Sequence, residues 1–146
     1  MRTGSFFLFL IVVSFPALPQ GPVFKSDEGA IRGYDPVAYF SDGKPVKGVK
    51  SYSYKWKDAD WYFSSQNNLD LFKNDPQKYA PQFGGFCAYG VSRDYKVKTE
   101  PDAWTVVEGK LYLNYDTDVM KTWNKDRANY IGKANSNWVS LEDKEK

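Results

Sequence analysis

Residues 61–79, with the sequence WYFSSQNNLDLFKNDPQKY, decide the fold of this chain. The three aromatic residues at the start suit a buried strand, and either of the two serines that follow can cap a helix. Leu69 and Phe72 lie three residues apart, on one side of that helix. Asp75 ends the helix because it precedes a proline, and it can also cap a second, shorter one. The stretch predicts a strand, a helix, a break and a half-length helix.

The residues before this stretch predict a small antiparallel sheet. Aromatic and polar side chains alternate over residues 49–57, which is typical of a half-buried strand. Residues 37–40 are apolar and predict another short strand, and Asp42-Gly43 suits a tight hairpin after it. We expect this sheet to lead directly into the helix of the deciding stretch.

The residues after it predict a second hairpin and a long helix. Gly84-Gly85 permits positive φ, and we expect a strand or a tight crossing after it. Two apolar runs flank Glu108-Gly109 and predict a hairpin. An amphipathic pattern over residues 117–135 predicts a helix that lies across the sheet. The fold class is therefore α+β: a small antiparallel sheet with a central short helix and a longer C-terminal helix packed on it.

Composition limits the chemistry. A chain of 146 residues has room for one domain, and its net charge of +2 gives no reason to expect nucleic acid as a partner. One cysteine excludes an internal disulfide framework, and the absence of histidine removes the usual general base. The aromatic content of 18% suits an aromatic core or, alternatively, an aromatic-lined ligand pocket.

The first 20 residues differ in character from the rest. Arg2 precedes a run of eight residues without a polar side chain, residues 6–13, and Pro16 follows. This order predicts a secretory signal peptide or N-terminal anchor over residues 1–20, with membrane contact only if that segment is not cleaved. We expect a flexible tether over residues 21–30, a domain over 31–140 and a polar tail over 141–146.

The deciding stretch resembles the core signature of the YHS domain family. The matching positions are Tyr62, Phe63, Ser65, Phe72, Asp75, Pro76, Lys78 and Tyr79. Asp35-Pro36-Val37 is similar to the family's opening motif. Residues 32–140 as a whole resemble an exported, single-domain branch, which implies a periplasmic or secreted protein.

The chain departs from that family at the positions that bind metal. Ala38, Ser64 and Asn68 stand where metal-binding members carry cysteines, and Asn67 stands at a common histidine position. Zinc and copper sites are normally built from thiolates and imidazoles. We therefore expect the fold without the family's usual metal site.

The sequence contains no nucleophile elbow, phosphate loop or metal-ligand pair. The weak candidates for ligand binding are Cys87, Tyr34, Asp35 and Tyr89, expected around one aromatic pocket near the last helix. We predict an exported binding or accessory domain, with a small ligand or a protein as its unidentified partner. Two alternatives stay open: a protein binding copper, another metal or haem through relocated ligands such as Cys87, tyrosines or carboxylates, and an enzyme that uses the Cys87 thiol.

Overall fold

The computed structural model describes residues 22–144, and this part of the chain has the predicted α+β fold. The predicted signal peptide lies outside the described residues. The strands are β1 (Lys25–Ser26), β2 (Gly29–Ala30), β3 (Val49–Trp56), β4 (Ala59–Phe63), β5 (Trp104–Val107) and β6 (Lys110–Leu113). The helices are α1 (Ala38–Ser41), α2 (Gln66–Asn74), α3 (Pro76–Tyr79), α4 (Ala88–Ser92), α5 (Thr117–Asn124) and α6 (Arg127–Leu141). No helix within residues 22–144 is both long and apolar enough to cross a membrane.

The deciding stretch folds as its local signals predict. Its aromatic residues end β4, which pairs with β3. Ser65 is the serine that caps α2, because its side chain accepts a hydrogen bond from the Asn68 amide at 3.1 Å. Asp75 ends α2 and caps α3, with Pro76 in the first turn of α3. The strand, helix, break and half-length helix are all confirmed.

The strands form three separate two-stranded antiparallel sheets rather than one sheet. The turn between β3 and β4 places Lys57 and Asp58 at positive φ. The predicted hairpin at Glu108-Gly109 is confirmed, and these two residues also have positive φ, which matches the twist of the flanking strands. The prediction of a single sheet is wrong because each pair of strands packs on helices and on other hairpins instead of extending its neighbour.

The predicted strand over residues 37–40 is wrong, since these residues begin α1. One oxygen of the Asp35 carboxylate accepts hydrogen bonds from the amides of Val37 and Ala38, at 2.8 and 3.3 Å, and this starts a helical turn. Gly43, at φ 65°, ends the helix by donating its amide to the Ala38 carbonyl. Asp42-Gly43 therefore terminates a helix and does not close a hairpin.

Residues 22–30 are packed, in contrast to the expected tether. β1 and β2 form a hairpin, and the side chain of Val23 is buried. The Phe24 amide donates to the Gly84 carbonyl at 2.8 Å, and the Phe24 ring packs on Phe86. Apolar side chains and backbone hydrogen bonds thus join this segment to the domain, although its composition gave no strand signal.

The segment after Gly84-Gly85 is also helical rather than extended. The Cys87 sulphur accepts a hydrogen bond from the Gly90 amide at 3.4 Å and caps α4. The predicted strand or crossing is wrong here because this cap starts a helical turn, in which the Val91 amide donates to the Cys87 carbonyl at 2.9 Å.

The predicted helix over residues 117–135 is two helices. α5 begins at its predicted cap, Asp116, and ends where the amides of Lys125 and Asp126 bond to carbonyls three residues back. The break lets α5 bury Trp123 completely while α6 packs along α4 instead of across a sheet. α6 continues to Leu141, whose side chain is buried, so the polar tail begins after that residue.

Two hydrophobic clusters make up the core, and β6 joins them. The first cluster surrounds Phe72, whose ring lies 5.1 Å from Trp61 and 5.2 Å from Phe63, between centroids. The second cluster lies between α4, α5 and α6. Because side chains alternate along a strand, Leu111 enters the first cluster and Tyr112 the second. β6 therefore positions each cluster against the other.

Candidate functional site

The carboxylate of Asp35 is completely buried at the junction of α1, β4 and α2. Its Oδ1 atom accepts from the first amides of α1, as described above. Its Oδ2 atom accepts three more hydrogen bonds, each of 2.8 Å, from the Ser64 amide, the Ser64 hydroxyl and the Asn68 side-chain amide. Five donors thus surround one carboxylate, which we call the Asp35 network.

The Asp35 network includes Ser64 and Asn68, two of the positions at which the family resemblance implies metal ligands. Ser64 and Asn68 both direct donor hydrogens at the Asp35 oxygen, and Ala38 contributes only its backbone amide. A metal ion requires lone pairs at such positions, whereas this arrangement presents hydrogens. The residues do not fit zinc or copper, and we expect no tight binding of either metal that depends on Ser64 or Asn68.

Cys87 lies in a different part of the molecule, at the start of α4. The residue is 1% exposed, and its sulphur accepts hydrogen bonds from the amides of Gly90 at 3.4 Å and Tyr115 at 3.2 Å. The thiol in turn donates to the side-chain oxygen of Asn114 at 3.5 Å, and that oxygen also accepts from the Tyr89 amide at 3.0 Å. The sulphur is therefore buried with its hydrogen bonds satisfied.

The protonated thiol is the favoured form of Cys87. Burial raises its pKa, and the amide donors of Gly90, Tyr115 and Tyr89 oppose this rise without cancelling it. The charge of Asp116 raises the pKa slightly further. At neutral pH the side chain thus carries little of the thiolate that nucleophilic or redox chemistry requires.

A pocket of about 220 Å³ opens above Cys87. Its lining consists of aromatic and aliphatic side chains around the thiol: Tyr89, Tyr95, Val97, Tyr115 and Val119. Cations lie on two of the tyrosines, with the Lys98 ammonium 4.4 Å from the Tyr115 ring and the Arg93 guanidinium 5.7 Å from the Tyr89 ring. We call this cavity the Cys87 pocket.

The four residues proposed from sequence as ligand contacts do not form one site. Cys87 and Tyr89 share the Cys87 pocket, as expected. Asp35 belongs to its own network, and Tyr34 pairs with Lys47, whose ammonium lies 5.0 Å from the Tyr34 ring. Neither Tyr34 nor Asp35 lines the Cys87 pocket, so the expected pocket between all four residues is wrong.

Sequence reasoning missed most of the walls of the Cys87 pocket. Asn114 holds both the thiol and the Tyr89 amide, yet it sits in sequence at the end of a strand, where an asparagine suggests only a turn. The side-chain nitrogen of Asn114 is buried and has no hydrogen-bond partner among the described residues. The sequence offers one signal for these walls, Asn114-Tyr115-Asp116. These residues connect a strand to the cap of a helix, so they lie at the edge that the two elements share.

Residues 22–144 contain no cluster of three or more cysteine or carboxylate side chains arranged to hold a metal ion. What they define is a small α+β domain with a carboxylate-centred junction and a separate apolar pocket. Comparison with protein families gives the class a name, since residues 37–83 match the YHS domain. This stretch of the chain is thus a YHS domain, and the resemblance inferred from residues 61–79 is confirmed. No curated protein matches the chain, and no solved structure does.

The match to the family covers part of the Asp35 network and none of the Cys87 pocket. It includes Ser64 and Asn68 of the Asp35 network, together with α1 to α3. It ends at residue 83, before Cys87 and the rest of its pocket. The match therefore includes the residues that donate to Asp35, but neither Asp35 itself nor the Cys87 pocket.

Asp35→Asn should destabilise the fold strongly. The amide keeps the volume of the carboxylate, but its nitrogen must face donors that previously bonded to an oxygen. We expect a loss of about 3 kcal/mol in the free energy of unfolding, measured by urea denaturation. The matched control is Asp70→Asn on the exposed face of α2, where Asp70 accepts one side-chain hydrogen bond and a change within about 0.5 kcal/mol is expected. A loss of less than about 1 kcal/mol for Asp35→Asn would contradict this role.

Stability should decrease as the pH rises above about 8.5, the ordinary range of a thiol pKa. The folded state raises the pKa of Cys87, and burial also raises the pKa of Tyr39 and of Tyr112. Between the ordinary and the raised value, the folded protein keeps a proton that the unfolded chain has lost, so unfolding becomes more favourable with pH.

The first part of this decrease belongs to the thiol, and the tyrosines add to it from about pH 10. Cys87→Ser keeps a cap on α4 but does not titrate, so between about pH 8.5 and 10 its urea midpoint should fall less steeply than that of the natural chain. Equal slopes for the two proteins in this interval would show that the pKa of Cys87 is not raised.

Proposed function

We propose that this protein is a small exported binding domain, without catalytic machinery, whose ligand occupies the Cys87 pocket. The observation that carries the proposal is an open apolar cavity of about 220 Å³, with three tyrosines around a shielded thiol. Pockets with mostly apolar walls and few polar groups are typical of small-molecule sites.

The dimensions and charges of the pocket favour one class of ligand. A cavity of this size holds a single aromatic ring with a short substituent, since an apolar cavity of about 150 Å³ accepts benzene. Lys98 and Arg93 already lie on the faces of two wall tyrosines, which disfavours a cationic ligand. The proposed ligand is therefore a neutral or weakly acidic single-ring compound such as a phenol.

The two alternatives from the sequence receive less support. The groups that contact the Cys87 sulphur are backbone amides and the Asn114 carboxamide, none of which is a thiolate, imidazole or base. A raised thiol pKa also opposes both nucleophilic catalysis and the binding of a soft metal, which requires the thiolate. A binding role needs neither a base nor a thiolate.

Phenol is a suitable probe of the pocket. Its addition to the full chain should shift the methyl NMR signals of Val97 and Val119 in a saturable way. Val119→Phe fills the cavity and should weaken binding about tenfold or more, while Val139→Phe, at a position that is 80% exposed, should leave binding unchanged. Unshifted valine signals, or equal affinity in Val119→Phe, would contradict the proposed site. Benzylammonium should bind more weakly than phenol.

Export is a separate part of the proposal, supported by the charge and the apolar run within residues 1–20. Expression of the full chain in a bacterium should yield periplasmic or secreted protein whose intact mass shows the loss of about 17–21 residues. Full-length protein found only in the cytosol would contradict export and would leave the ligand proposal unaffected.

A further inference from the structure

A second cavity, of about 240 Å³, lies where the two hydrophobic clusters meet. One wall is the turn after β3, with Trp56 and Lys57, and the opposite wall is α6, with Asn135 and Trp138. The segment that precedes α4 closes the third side. None of the residues proposed from the sequence as ligand contacts lines this cavity, which we call the tryptophan cleft.

Four polar side chains of the tryptophan cleft have no hydrogen-bond or ion-pair partner among residues 22–144. Gln77, Gln82 and Asn135 line it, and their carboxamides make no hydrogen bond to any residue within 22–144. The carboxylate of Glu142, also in the lining, forms no ion pair or hydrogen bond with the described residues. Three carboxamides and a carboxylate therefore offer several donors and acceptors at one concave surface.

The two half-buried tryptophans of the cleft differ in what covers them. The Lys57 ammonium lies 4.9 Å from the ring of Trp56 and occupies the position that a ligand cation would take. Trp138 is supported by Phe83 and Phe86, with ring centroids 5.8 and 6.4 Å away, and no described cation lies on it. Trp138 thus provides a half-buried aromatic surface that contacts two further rings.

We propose that the tryptophan cleft is a saccharide-binding site, with Trp138 as the stacking surface. A sugar ring has an apolar C–H face that packs on an indole, and its edge carries hydroxyls that both donate and accept. Carboxamides and a carboxylate match that edge, because each can bond to neighbouring hydroxyls. The cavity of about 240 Å³ exceeds the roughly 150 Å³ that accepts a benzene ring, so it has room for one monosaccharide unit. This inference does not depend on the Cys87 pocket.

The alternative ligand is a zwitterion that uses Lys57 and Glu142 as opposite charges. The Lys57 ammonium already lies on the Trp56 ring, so a zwitterion could place its cation only at Trp138 and Glu142. The three unpartnered carboxamides favour a ligand with several hydroxyls over this alternative. Glycine betaine serves as the probe for this alternative in the same experiment.

The test follows the indole N–H signals of the full chain by NMR during titration with methyl glucoside, methyl galactoside and N-acetylglucosamine at millimolar concentrations. At least one sugar should shift the Trp138 signal in a saturable way, with the assignment made from Trp138→Phe. The signal of Trp104, which packs on Tyr39 away from the cleft, should not move.

Two variants locate the binding. Gln82→Ala removes a half-buried carboxamide from the lining of the cleft without removing a described hydrogen bond, and it should weaken sugar binding about tenfold. Asn129→Ala removes the same kind of group from α6 outside the cleft and should bind sugar as the natural chain does. The proposal is overturned by an unshifted Trp138 signal with all three sugars, by equal affinity in Gln82→Ala, or by saturable binding of glycine betaine in their place.

Discussion

A carboxylate that leaves water loses the hydration that stabilises its charge, and the protein must replace that hydration with donors. Asp35 obtains five of them from the start of α1, the end of β4 and α2. No described cation pairs with it, so neutral dipoles alone stabilise the charge. The three elements can therefore hold their positions only together, because separating any one exposes a buried charge that has too few donors.

This interaction explains how the YHS domain retains its shape without thiolates at Ser64 and Asn68. A metal ion joins its ligands through their lone pairs, whereas the Asp35 network joins the same positions through their hydrogens. The centre of this junction is an anion, and the side chains around it present donors. This arrangement joins α1, β4 and α2 through hydrogen bonds to one carboxylate.

The sequence was informative where the deciding contacts are local. Ser65, Asp75 and Glu108-Gly109 each act on residues within a few positions, so their caps and turns were predictable. α1 was missed because its start depends on Asp35, whose place is fixed by donors 29 and 33 residues further along the chain.

The same distinction holds for the candidate sites. Cys87 and Tyr89 were predictable as neighbours because they are two residues apart, but Tyr95, Tyr115 and Val119 reach them only through the folded chain. The tryptophan cleft had no sequence signal, since its walls come from a turn, a glycine segment and a distant helix. Tyr34 and Asp35 were expected beside Cys87 because Asp35 lies near the family signature and Tyr34 could hydrogen-bond a ligand. Neither signal determines which distant residue they contact in the folded chain.

The contact between Gly84 and Pro22 limits how many N-terminal residues can be cleaved from the chain without loss of the fold. It has φ +63°, and a side chain there would collide with the carbonyl oxygen of Pro22, so the backbone of residues 22–24 lies directly against it. Val23 is buried beside this contact, and Phe24 bonds to the Gly84 carbonyl. A protease that cut beyond Pro22 would remove part of the core rather than a leader. The shortest form of the protein that keeps these contacts therefore begins at Pro22. A cleavage that preserves the fold must lie before this residue.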